Sequence, residues 1–298
     1  MDRIARLTAW PFVVSMSVAG FTLGFVTGHP ALALTLVPVA AWALILGLEA
    51  AIPLVPQPSA WRDPEAGRDM FHTLVGQGFG NELGAAVVAG VLALPVGWAG
   101  ARFGTDLWPA HWPLALQILV GIVLADGIEY ARHRAEHSWN WLWPVHALHH
   151  SVDRMHVLKS GRGHFLDMVL RHVVVFLPMA AVGVPVEVLL AYVAAVTALG
   201  PVGHSNVDVR VPAILHRVVM TPQVHRIHHA RDAHLAFGNY ANVFPFWDVL
   251  FGTFRDPTRV APGGFGIEDD LMPRSLYGQL AAPFTWRRLT TRTTQPAT

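Results

Sequence analysis

An all-α polytopic membrane bundle, of about four spans plus a helical hairpin under a cytoplasmic histidine-rich catalytic cap, is the fold class the sequence predicts. Three observations predict it. Hydrophobic residues make up 53% of the 298 positions and charged residues only 14%, outside the usual range for a soluble domain. Apolar runs near twenty residues long recur, the length a helix needs to cross about 30 Å of hydrocarbon. Fourteen of the seventeen histidines fall between His133 and His234, directly after the last clear run.

Taken in order, the first two spans cover residues 7–28 and 31–55, with Gly28-His29-Pro30 as the turn between them. The first run lacks a small-residue cleavage site and reads as a retained span. A polar stretch over 57–69 follows, then a third span over 80–98 and a fourth over 114–130. The apolar region 173–202 is broken by Pro178, Gly183-Val184-Pro185 and Gly200-Pro201, which suits a hairpin that dips into the bilayer and returns. One integral membrane domain, residues 1–298, is expected. Residues 1–112 hold the N-terminal spans, 113–256 form the histidine-box catalytic region, which begins with the fourth span, and 257–298 form a polar tail fraying at its end.

Basic residues orient the bundle. Arg3, Arg6, Arg62, Arg68, Arg132, Arg134, Arg154, Lys159 and Arg162 share one side if each span crosses once, against Arg102 opposite, which makes the histidine side cytoplasmic. A formal net charge of +1 gives no reason to expect a nucleic-acid partner. With no cysteine, disulfides and thiolate metal sites are excluded, so any metal is held by nitrogen or oxygen.

Three patterns carry the chemistry: His133-x-x-x-His137, His146-x-x-His149-His150 and His225-x-x-His228-His229. Residues three and four apart share a helix face, so each pattern aims its imidazoles at one point. One such pair is ordinarily just hydrogen-bonded; three patterns together are another matter. Eight imidazoles exceed the ligand number of one ion and suggest two, with Fe, Zn, Cu and Ni all suited. His204 is a candidate ninth ligand and His164 a weaker one, whereas His29, His72 and His111 lie outside the cluster. Asp126, Glu129 and Tyr130 share the face of His133 and are candidates for orienting its imidazole.

A competing reading takes His133-Arg-Ala-Glu136-His137 as HxxEH, with two zinc ligands and a glutamate general base in a membrane hydrolase. It leaves both HxxHH patterns unexplained. A histidine-rich transporter or sensor would instead need ligands spread along the spans. Trp139, Trp141 and Trp143, with Trp108 and Trp112, read as interfacial aromatics at the two membrane surfaces.

The segment Asp126-Gly-Ile-Glu-Tyr130-Ala-Arg-His133-Arg-Ala-Glu-His137 resembles the first histidine box of the fatty acid hydroxylase/sterol desaturase superfamily, and Leu142-Trp143-x-x-His146-x-x-His149-His150-Ser151 its second. Arg162-x-His164-x-x-Asp167 is similar to the family's Arg-x-His-Pro-x-Glu element, with Phe165 for proline and Asp167 for glutamate. His204-Ser-Asn206, His225-Arg-Ile-His228-His229, Asn239-Tyr240 and Trp247-Asp248-x-Leu250-Phe251-Gly252-Thr253 follow the family's closing order. Ala241 stands where glycine is usual, and Asp208 where fatty acid hydroxylases carry a further histidine. The likeness covers residues 120–255; before them it is loose, through Glu49 to Pro53 and Asp69.

This resemblance implies two irons bound by His133, His137, His146, His149, His150, His225, His228 and His229, with His204 as a further ligand. It implies an O2-dependent hydroxylase or desaturase acting on an unactivated C–H bond of a membrane lipid, sterol, fatty acyl or related. Asp126, Glu129, Asp167 and Asp248 are the candidates for orienting the ligands. No His-Pro-Gly-Gly segment and no GxGxxG fingerprint occurs, so a separate electron donor, a ferredoxin or a cytochrome/reductase system, is expected. The expected location is a bacterial inner membrane.

Overall fold

A computed structural model of the chain describes residues 2–93 and 107–293. The helices are α1 Asp2–Val26, α2 Pro30–Ala51, α3 Ala66–His72, α4 Asn81–Ala93, α5 Leu114–Ser138, α6 Trp143–His150, α7 Phe165–Arg171, α8 Leu177–Ala181, α9 Val186–His204, α10 Pro222–His228, α11 Ala233–Ala236, α12 Phe246–Leu250 and α13 Leu276–Thr293. Among the described residues β-structure is confined to two isolated bridges.

Four helices, α1, α2, α5 and α9, are long and apolar enough to cross a membrane. They bury less than half of themselves against protein, from 17% of the apolar window in α2 to 44% in α9, and turn Leu32, Leu36, Val39, Leu119 and Val186 outward. Such a surface suits lipid rather than water. The third expected span begins as α4, while residues 94–98 lie outside the described residues. The fourth, expected to end at residue 130, instead continues as helix to Ser138, carrying the first histidine pattern on unbroken helix.

The broken apolar region forms the expected hairpin. A π-helical turn, His172–Phe176, leads into α8, the chain reverses at Gly183, and α9 returns. α9 packs on α1, α2 and α5. Gly121 of α5 permits the closest approach: a Cβ there would lie 2.1 Å from the Val188 side chain.

Four helix ends meet around the histidines. The start of α1 joins through an Arg6–Asp208 ion pair, and the end of α2 through Leu54 N–H donating to Asn206 O at 2.8 Å. α5 and α9 end there too. The expected tail contains a helix, α13, laid against α6; Gln279 bonds His72 at 2.8 Å and Leu280 O receives His164 at 3.1 Å. Two tryptophans also differ from expectation. Trp108 is buried, donating its indole N–H to Gln117 at 2.8 Å, and Trp143 packs on the His137 ring at 5.1 Å, whereas Trp139 and Trp141 are exposed and stacked on one another.

Candidate metal centre

Nine histidines converge in two groups, His133, His137, His146, His150 and His228 in one, and His149, His204, His225 and His229 in the other, with the ligand atoms of each group within 4.8 Å of one another. These are the nine singled out in the sequence. Each HxxHH pattern, expected to aim at one point, divides between the groups. Residues i and i+4 lie about 40° apart around a helix and stay together, whereas i+3 lies about 100° from i+4 and turns to the other side. His146 and His150 therefore join one group and His149 the other; likewise His225 and His229 part from His228.

The hydrogen bonds on the far ring nitrogens fix which nitrogen faces inward. His133 gives its Nδ1–H to Tyr240 O at 2.7 Å and His228 to Gly238 O at 2.9 Å. His149 donates to Arg162 O at 3.0 Å and His204 to Gly200 O at 3.1 Å. A neutral imidazole that donates at Nδ1 carries its lone pair at Nε2. Those lone pairs face one another: His133 and His228 Nε2 are 3.0 Å apart, and His149 and His204 Nε2 are 3.2 Å apart.

Two acceptors at that range repel unless a cation lies between them. Nitrogens each about 2.1 Å from one ion and about 90° apart are separated by about 3.0 Å, matching the observed spacings. Protonation does not supply the positive charge. Burial, then neighbouring imidazoles, push His149, His150, His225 and His229 well below their ordinary pKa, and burial brings His228 down to about 3. The donor set, all nitrogen and neutral, fits two first-row transition metal ions.

The surroundings hold the rings from behind. His146 donates from Nδ1 to Asp167 at 2.8 Å, and Asp167 also accepts from Arg132 at 2.8 Å. Burial alone would raise the Asp167 carboxyl, but Arg132 and His146 outweigh it and hold it well below the usual range. Arg132 further joins Glu129 and Glu136. Arg162, whose carbonyl orients His149, is itself clamped by Asp69 at 2.7 Å and Glu65 at 2.9 Å. Lys159 and His156 complete this knot on Asp69 and Asp63. The third acid–histidine group, Asp63, Asp69 and His156, is thus filled by the protein's own cations.

Of the carboxylates expected to place the ligands, only Asp167 touches a histidine of either group. Asp126 accepts the Val243 and Phe244 N–H groups, both at 2.9 Å. Asp248 accepts Tyr240 and Ala241 N–H and the Thr253 hydroxyl, so these two position the Tyr240 carbonyl through backbone. Glu129 is engaged by Arg132 and Arg171. His164 caps α7 by accepting from Leu166 N–H and stands in neither group. Sequence reasoning missed the role of Arg132 and the carbonyls of Arg162, Gly200 and Gly238; carbonyls leave no residue-type signal, and Arg132 was legible only as one of the basic residues that orient the bundle.

The family model described as fatty acid hydroxylase matches residues 118–253. Ornithine lipid hydroxylase OlsE of Rhizobium tropici is 33% identical over 281 residues, 93% of this chain and 83% of that protein. The chain belongs to the fatty acid hydroxylase family. Within the superfamily, human alkylglycerol monooxygenase is 28% identical over 168 residues, 53% of this chain but 34% of its own length. Very-long-chain aldehyde decarbonylase GL1-1 of Oryza sativa subsp. indica is 27% identical over 157 residues, a quarter (25%) of its length. No solved structure matches the chain.

Proposed function

We propose that this chain is an O2-dependent di-iron hydroxylase of a membrane lipid of the ornithine lipid class. The facing Nε2 lone pairs of His133 and His228, and of His149 and His204, carry the metal assignment. His133, His137, His146, His150 and His228 would hold one iron and His149, His204, His225 and His229 the other. When bound, the irons would supply the chemistry of O2 reduction, in which one oxygen atom would enter a C–H bond and the other would leave as water, with two electrons and two protons from a separate donor. The lipid class and the choice of hydroxylation over desaturation rest on the relative matched along 93% of the chain.

The protein's share is to orient the imidazoles, keep water out and admit lipid. Trp143, Tyr240 and Phe237 surround the His137 ring at 5.1, 5.2 and 5.9 Å, a wall that limits water where the C–H bond is presented. The grouping of basic residues favours a cytoplasmic site in an inner membrane, next to a soluble ferredoxin or a reductase. The HxxEH hydrolase is disfavoured by one observation: the Glu136 carboxylate is fully buried against Arg132 and 3.3 Å from His146 Nδ1, behind the rings rather than beside the Nε2 atoms a metal-bound water would need. The test is incubation of the reduced protein with ornithine lipid vesicles under 18O2. One 18O per product is expected; unlabelled product, or none with any aminolipid, overturns the reading.

A further inference from the structure

We propose that residues 243–252, which follow the last histidine pattern, form a wedge embedded in the acyl layer on the histidine side of the membrane, beside α5. Their depth follows from what they touch. Trp247 packs so closely on α5 that a Cβ at Gly127 would lie 2.7 Å from its ring. Phe251 stacks on Tyr130 at 5.3 Å, and Asp126 holds the Val243 and Phe244 N–H groups. Arg134, exposed and donating to the Tyr130 hydroxyl at 3.3 Å, marks where α5 meets water. Gly127 lies seven residues earlier, about 10 Å deeper at the helical rise, and interfacial elements sink about 5–10 Å.

The chemistry of the segment suits that depth. Val249, Leu250 and Phe251 are 43%, 65% and 52% exposed, continuing the lipid-facing surface of Leu119 and Leu124 on α5. Asp248, the one charged residue in the stretch, is buried and spends its carboxylate on Tyr240 N–H, Ala241 N–H and Thr253. Backbone donors are satisfied internally as well: Trp247 bonds Phe244 O, Phe251 bonds Trp247 O, and Thr253 and Phe254 bond Asp248 O. Irregular backbone survives beside hydrocarbon only when so paired. The wedge lies close to the site, because Tyr130 meets Tyr240 edge-on at 6.2 Å and the Tyr240 carbonyl orients His133. It sets acyl chains of one leaflet against the wall of the first histidine group.

The chain has no cysteine, so single labels can be placed in the full-length protein. Leu250→Cys and, independently, Val249→Cys are spin-labelled in vesicles of phosphatidylethanolamine and phosphatidylglycerol. Leu119→Cys is the lipid reference, and Asp153→Cys, with its side chain 63% exposed on the cap, the water reference. Collision rates with O2 and with a water-soluble nickel chelate are measured. Both wedge labels should favour O2 over nickel as label 119 does. A ratio matching label 153 overturns the wedge in favour of a water-facing loop. Exclusion of both reagents overturns it in favour of a covering protein surface. Neither readout depends on metal loading or turnover.

Discussion

His150 and His229 stack face to face, 4.4 Å between ring centroids and 18° apart in plane, although they come from different patterns and stand in different nitrogen groups. The two groups thus share a wall. His150→Ala should disturb both, lowering retention at the second group as well as the first, whereas His204→Ala should spare the first. Metal counts on the two variants check this; equal losses would contradict the shared wall.

Asp126 tests whether a carboxylate can shape the site without touching it. Asp126→Ala leaves the Val243 and Phe244 N–H groups without an acceptor. At about 1–3 kcal/mol for each buried unpaired donor, roughly 2–6 kcal/mol of stability should be lost. Asp126→Asn, keeping one acceptor, should lose less. Thermal unfolding in detergent reads both, and a loss for Asp126→Ala under about 1 kcal/mol would contradict the role.

Asp167 acts directly on a ring. Replacing it with Asn removes the anion behind His146 and Arg132, and loss of such a partner costs about 10–100-fold in metal affinity. Competition with a chelator measures it, with unchanged affinity as the contrary result.

Acid should release metal and destabilise the metal-free protein. An unfolded histidine titrates near about 6.5, while burial brings His228 down to about 3 and holds His149, His150, His225 and His229 well below 6.5. The unfolded chain then binds more protons than the folded one. Stability is complete above about pH 6.5 and falls as pH drops from there toward 3. Unfolding midpoints of stripped protein at two pH values check the sign; a midpoint that rises on acidification would contradict it.

Much of this was legible in the sequence because its period matches the geometry. Long apolar runs gave α1, α2 and α5, prolines and Gly183 gave the hairpin, and spacings of three and four gave eight of the nine histidines, His204 standing apart as a candidate ninth. The division of each HxxHH between two groups was hidden, since it depends on the 100° step from His149 to His150 and on which neighbours each face meets. Long-range pairings were hidden as well: Asp63 with His156, Asp69 with Arg162, and Gln279 with His72 join segments far apart in the chain. Asp126 was legible as functional but not as a backbone latch, because its acceptors' partners lie 117 and 118 residues away.

If two irons sit where the Nε2 atoms converge, metal analysis of the detergent-purified full chain, beside His149→Ala and His228→Ala, should find about two irons per chain, with less iron in both variants. A single zinc, unaffected by His228→Ala, would contradict it.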